Sequence, residues 1–234
     1  MIKNMKNRCP ILCLIVSLFI IFSCSDRIDN YTAPSSSFSG RIIDKETGKQ
    51  IQGQQPDGAR IRMYEGGKFN AKDPIDFWVM QEGNFVNKAL FDGTYKVIAE
   101  GPFEKSDTLS LQLQNAAKYD FKVIPFLNLT IDILEKKESS VVVKYRISQS
   151  AAKRKIQRRA LLISNRPYVD INNYINQSPF INTNDISDSD LTEKDFITEI
   201  TGLSKGVQYY IRSGARCNNS NSYYNYSEIL SFRL

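Results

Sequence analysis

Val141, Val143, Tyr145 and Ile147 alternate with Val142, Lys144 and Arg146. An apolar residue at every second position sends one face of an extended chain into a core and the other toward water, whereas a helix repeats its apolar positions every three to four residues. The same period of two runs through most of the chain beyond residue 37. Ala59, Ile61 and Met63 alternate with Arg60, Arg62 and Tyr64; Ile75, Phe77 and Val79 with Asp76, Trp78 and Met80; Leu109, Leu111 and Leu113 form a further set. Turn residues punctuate these runs at Asp44–Gly48, Gly66-Gly67, Glu82-Gly83-Asn84 and Asp92-Gly93. No stretch between residues 38 and 124 has helical spacing over three turns. The expectation is an all-β protein made of two antiparallel β-sandwich domains in tandem, 38–124 and 125–234. Pro125, which cannot donate a ladder hydrogen bond, marks the boundary.

The amino-terminal segment has a different character. Lys3, Lys6 and Arg8 precede an apolar run from Ile11 to Phe22, interrupted by one serine and too short to span a bilayer. A basic flank followed by a short apolar core reads as a secretory signal. Ser23 directly before Cys24 resembles the lipobox of bacterial lipoproteins, with Phe22 bulkier than that motif prefers. The resemblance implies a signal peptide over 1–23, lipidation of Cys24 and a bilayer anchor through its acyl chains. Residues 24–37, without apolar periodicity, read as a flexible tether. Removing the signal lowers the net charge from +6 to +3, with both signs mixed along the chain, which argues against nucleic-acid binding. It also leaves Cys217 as the one cysteine beyond Cys24, so no intrachain disulfide framework is available. Cys217 itself reads as a buried small apolar residue.

In the second half, Ala160–Ile163 suits a central strand. The basic run Lys153, Arg154, Lys155, Arg158 and Arg159 suits a hairpin tip. Residues 165–190, rich in Asn, Asp and Ser, read as a long inserted loop with a short strand near Tyr168 and one helical turn. Leu203, Gly206 and Tyr209 are spaced like the tyrosine corner of fibronectin type III domains, which makes Tyr209 structural.

The stretches F-S-G-R-I-I-D-K-E-T-G-K at 38–49, G-A-R-I-R-M-Y at 58–64 and L-F-D-G-T-Y-K-V at 90–97 resemble carboxypeptidase-regulatory or prealbumin-like domains of exported Bacteroidetes proteins. With the fibronectin-like second half and the lipobox, the chain resembles the two-domain lipoproteins named for the DUF3823 domain. That resemblance implies an outer-membrane, lipid-anchored protein facing the cell exterior. It also implies partners among receptors of the SusC and SusD types and a supporting role in glycan uptake. It supplies no catalytic residues.

The side chains agree with a non-enzymatic reading. The chain has no histidine, which removes Ser-His-Asp and Cys-His machinery and His-containing zinc sites. Acid pairs such as Asp185 with Asp188, or Glu82 with Asp92, read as solvated charges, and no cofactor motif is present. Asp185, Asp188 and Asp190 are a weak calcium candidate that lacks the glycine and the glutamate of an EF-hand. The candidates for carbohydrate contact are Trp78, Tyr168, Tyr174, Tyr223, Tyr224 and Tyr226, because a flat ring stacks on the apolar face of a sugar. Trp78 alternates outward from its strand and is either such a platform or an anchor between domains. Asp107-Thr108-Leu109 resembles an O-glycosylation acceptor with Thr108 as the modified residue. Two functions stay open: glycan capture through exposed aromatics, or a spacer or adaptor that docks onto a receptor complex and binds no sugar.

Overall fold

Burial follows the alternation closely. The computed structural model describes residues 32–67, 71–192 and 194–234, so the signal segment and Cys24 lie outside the described residues. The strands are β1 (Ser36–Asp44), β2 (Arg60–Glu65), β3 (Ile75–Trp78), β4 (Asn84–Leu90), β5 (Gly93–Glu100), β6 (Leu109–Leu113) and β7 (Ala116–Val123), then β8 (Leu127–Lys136), β9 (Ser140–Gln149), β10 (Ile156–Ser164), β11 (Phe180–Asn182), β12 (Asp195–Thr201), β13 (Gln208–Cys217), β14 (Asn225–Tyr226) and β15 (Leu230–Arg233). A single helical turn, α1, covers Asp188–Leu191. In β9 the residues at 141, 143, 145 and 147 are buried and those between them half-buried. A one-residue slip would put Lys144 and Arg146 in the core, and each aliphatic residue lost from it would cost roughly 1.5–3 kcal/mol, so the register is strongly determined.

The first sandwich stacks a sheet of order β4-β1-β7 on a sheet of order β3-β2-β5-β6. Phe38, Ile42, Phe85 and Phe121 from one sheet meet Ile61, Met63, Tyr95 and Val97 from the other. All the ladders of this sandwich are antiparallel except one, since β7 runs parallel to β1 from Ser37↔Ala116 to Asp44↔Val123. The parallel pair is possible because the intervening strands make the crossover. The turn after β1 is built by Asp44, whose carboxylate accepts from the Glu46 N–H at 2.9 Å and the Thr47 hydroxyl at 2.7 Å. Gly48 closes it at φ 73°, a conformation that favours glycine. Tyr95 turns inward and its hydroxyl donates to the Phe91 carbonyl at 2.9 Å.

The second sandwich stacks β12-β9-β8 on β11-β10-β13, with β14 and β15 both pairing along β13. Three strands of one sheet face a five-stranded partner in which β14 and β15 lie end to end along β13, the layering of a fibronectin type III-like sandwich. β10 is central, between β11 and β13. The Tyr209 hydroxyl accepts from the Ser204 N–H at 2.9 Å across the turn that Gly206 makes at φ 77°.

Three expectations need correction. β1 begins at Ser36, inside the stretch read as tether, because the buried Ser36 hydroxyl donates to Asp92 in the turn before β5. In the 165–190 insertion the short strand is at Phe180–Asn182, where it pairs with β10; near Tyr168 there is only an isolated bridge, Asp170↔Asn173. The basic run is not a free tip. Arg154 pairs with Glu104 of the first sandwich at 2.9 Å and lies 4.2 Å from the Phe126 ring, Lys155 pairs with Asp188, and Arg159 reaches the Tyr145 hydroxyl.

The sandwiches meet without a linker between them. Residues 34–234 form one compact unit. The Phe126 N–H and the Asn225 amide both donate to the Pro102 carbonyl, at 3.0 and 2.8 Å. The outer face of the β10–β13 sheet, which alternation alone would leave wet, carries a second apolar cluster of Ala160, Leu162, Val169, Tyr224 and Tyr226. The insertion supplies Val169 to that cluster and is tied to the first sandwich at Asp170.

Candidate functional site

β2 and β3 pair so that Trp78 stands opposite Arg60 and Asp76 opposite Arg62, all four on the outer face of their sheet. Glu100 is opposite Arg60 on the other side. The charges form a closed ring: Arg60 to Asp76 at 3.3 Å and to Glu100 at 2.9 Å, Arg62 to Asp76 at 3.1 Å and to Glu100 at 3.6 Å. Trp78 is 42% exposed beside this ring. An open indole flanked by fixed donors and acceptors is the arrangement in which a sugar ring can stack while its hydroxyls meet guanidinium and carboxylate groups.

Tyr168 and Tyr174 are also open, at 58% and 45% exposure. Tyr168 has φ 63°, an uncommon value for a residue with a side chain. Its carbonyl accepts from the Gln81 amide at 3.1 Å and from the Asn173 amide at 3.1 Å, so its backbone is held from both sandwiches while its ring faces out. Tyr174 packs edge-on against Phe180, with centroids 5.0 Å apart.

The other three tyrosines are not available, which corrects the expectation for Tyr223, Tyr224 and Tyr226. All are buried. Burial pushes the Tyr223 phenol up. Tyr224 stacks on Tyr226 with centroids 6.0 Å apart. Tyr226 donates to Gln54 Oε1 at 3.1 Å. They are covered because the first sandwich and the insertion lie over the sheet face from which they project.

Arg212, which alternation places on that same outer face, is the residue that sequence reasoning passed over. It is fully buried. Its guanidinium donates to the Ser227 carbonyl at 2.8 and 3.1 Å, to the Gly53 carbonyl at 3.1 Å and to the Val169 carbonyl at 3.4 Å. One side chain thereby joins both sandwiches and the insertion. Asp170 accepts from the Gln55 N–H at 2.9 Å and the Gln81 amide at 2.7 Å. Nothing in the local sequence signals either role; an arginine in a strand is ordinarily a solvated outward residue.

The acidic cluster of the insertion does not converge. Asp188 turns inward, accepting from the Ile156 N–H at 3.1 Å and the Gln149 amide at 3.2 Å, and Asp190 pairs with Lys194 and Ser187. Asp185 is exposed. Among the described residues no three acidic, cysteine or histidine side chains gather as metal ligands, so the calcium candidate is withdrawn. Thr108 is exposed immediately before β6.

Family models match the chain in two consecutive stretches. Residues 36–124 match the N-terminal domain of a protein of unknown function, DUF3823, and residues 128–231 match a domain of unknown function, DUF3823_C. Among solved structures the chain is similar to a DUF3823 family protein from Bacteroides uniformis, at 21% identity and a TM-score of 0.75. It is similar to another from Parabacteroides merdae, at 20% and 0.71, and to a Bacteroides uniformis protein named as a candidate carbohydrate binding protein, at 21% and 0.71. Each comparison covers 86% of this chain and 100% of the other. At such identities the likeness carries the fold. No curated protein matches the chain.

Proposed function

The chain belongs to the DUF3823 family, and from that premise we propose that it is a non-catalytic accessory protein of glycan capture that touches sugar through Trp78. The observation that carries this reading is the open indole set beside the Arg60–Asp76–Arg62–Glu100 ring. The structural relative named as a candidate carbohydrate binding protein points the same way. Lipidation at Cys24 would hold the protein on the outer membrane, facing the exterior, where receptors of the SusC and SusD types would be its partners. Surface display suits a module whose two sandwiches form one compact body.

The second reading, a spacer or adaptor that docks onto such a receptor without binding sugar, draws on the burial of Tyr223, Tyr224 and Tyr226. Three of the six candidate rings serve the junction rather than a ligand. The test that separates the two is a glycan array with the wild-type protein, Trp78→Ala and Tyr168→Ala. Trp78 is the only tryptophan, so its fluorescence reports directly on stacking. Binding that quenches this emission and disappears in Trp78→Ala supports glycan capture. No binding by the wild type at millimolar sensitivity sinks it and leaves the spacer.

A further inference from the structure

We infer that the cleft between the two sandwiches is a second, concave site, built for a neutral saccharide unit. This inference rests on the glycan-capture reading above but uses residues far in sequence from Trp78. The cleft has a volume of about 380 Å³, within the ~300–1,000 Å³ range of small-molecule sites, and it lies at a domain interface, where such sites concentrate. Three segments form it: residues 47–52 of the first sandwich, strand β8 from Leu127 to Asp132, and residues 225–230 between and around β14 and β15.

The walls are fixed in advance. Gln50 donates to the Glu82 carbonyl at 3.0 Å and to Asn84 Oδ1 at 2.9 Å. Ser227 is held through its carbonyl by Arg212. The ladders of β14 and β15 along β13 differ in register by one residue, since Gly214 pairs with Tyr226 but Tyr209 with Phe232. The extra residue falls within 227–229, between the two strands, and shifts the course of the chain along this wall of the cleft. A wall held this way loses little freedom on binding.

The lining selects the ligand class. Ile51, Leu129 and Leu230 offer apolar surface, and Gln52, Asn128 and Thr130 offer amide and hydroxyl groups that can donate and accept. That mixture suits a ring with one apolar face and vicinal hydroxyls. Three carboxylates, Asp44, Asp132 and Glu228, line the cleft against one cation, Lys49, which disfavours sulfated or uronate-bearing glycans. A partner strand adding to the edge of β8 is a poorer fit, because the Thr130 carbonyl already accepts from the Ser213 hydroxyl at 3.4 Å.

The experiment presents the wild-type protein, Trp78→Ala, Gln52→Ala, Asn128→Ala and Thr130→Trp to an array of neutral, uronate-bearing and sulfated oligosaccharides. Calorimetric titration then follows with the best-bound neutral oligosaccharide, and circular dichroism confirms that each variant is folded. Gln52 is in a loop and Thr130 is exposed, so at least these two leave the core intact. We expect neutral glycans to be preferred, each alanine in the cleft to weaken binding about fivefold to tenfold through a lost hydrogen bond, and Thr130→Trp to weaken it further. Cleft variants that bind like the wild type while Trp78→Ala abolishes binding overturn the cleft and leave the Trp78 reading standing. A preference for sulfated or uronate-bearing glycans also overturns it. Binding lost in the cleft variants but kept in Trp78→Ala upholds the cleft and removes Trp78. No glycan bound by the wild type overturns both.

Discussion

The Arg212 guanidinium lies 4.2 Å from the centre of the Tyr226 ring, and each member of this stacked pair reaches the first sandwich, Arg212 at the Gly53 carbonyl and Tyr226 at Gln54. Burial pulls the Arg212 pKa down to about 10, which still leaves it charged near neutrality. A buried charge of this kind is held only while its carbonyl acceptors and the ring stay in place, so the junction forms as a unit or not at all.

Replacing Arg212 should therefore uncouple the sandwiches. Arg212→Met leaves the Gly53, Val169 and Ser227 carbonyls without their donor and should cost roughly 3–5 kcal/mol. Arg212→Lys keeps the charge but not the planar fork and should recover only part of this. Urea unfolding followed by Trp78 fluorescence and by far-UV circular dichroism should give coincident transitions in the wild type and separated ones in Arg212→Met. A single transition at the wild-type midpoint would contradict the role given to Arg212.

Gly40, in the F-S-G-R stretch of β1, has a steric reason to be glycine. A Cβ there would sit 1.7 Å from the Tyr119 carbonyl oxygen and 2.7 Å from the Phe85 ring. Gly40→Ala must push β7 away or bend β1, and overpacking of this severity should cost about 3 kcal/mol or more. Gly53→Ala, whose Cβ would meet nothing within 4 Å, is the matched control and should be nearly silent. Thermal unfolding of the two variants gives the comparison.

Cys217 should be chemically inert in the folded protein. Burial pushes its thiol up to about 12, so almost no thiolate exists at neutral pH. Alkylation at about pH 8 should be very slow without denaturant and fast in urea. Fast labelling of the native protein would show that the end of β13 opens readily.

Acid should destabilise the protein through identifiable carboxylates. The Ser36 hydroxyl holds Asp92 below its ordinary value of 3.8, Arg41 does so for Asp120, and the Ser140 hydroxyl together with Lys137 holds Glu199 below 4.5. A depressed folded-state pKa means that the unfolded chain binds the proton more tightly. The stabilisation is therefore complete above the ordinary values and is lost as pH falls through the folded ones. Urea midpoints should be flat from about pH 7 to 5 and fall between about pH 4 and 2. Asp92→Asn should flatten part of that fall. A midpoint that holds steady to pH 2 would rule these carboxylates out.

Much of the architecture was legible in the chain. The alternation at Val141–Ile147 and Ala59–Tyr64 located strands and named their inward residues, and the turn residues at Asp44–Gly48 and Gly206 placed two of the sharpest corners. Local chemistry suffices there, because a strand's own side chains decide its period and a turn's own residues decide its dihedrals. The direction of β7 was not legible. A parallel pairing depends on where the crossover strands lie, and no local residue records that.

The candidate site divides the same way. Alternation put Trp78 outward, and it is open; it also put Arg212 on the outer face of its strand, and Arg212 is among the most buried residues of the chain. Period two assigns a side chain to one of two faces without saying what lies over that face. For Trp78 it is solvent. For Arg212, and for the sheet face on which Tyr224 and Tyr226 pack, it is the first sandwich and the folded-back insertion, brought there by contacts between residues more than a hundred positions apart. The sequence by itself determined most of the strands and their inward faces. Only the tertiary structure decided which outer faces became a junction, because covering a face depends on the packing of distant segments and not on the residues that form it.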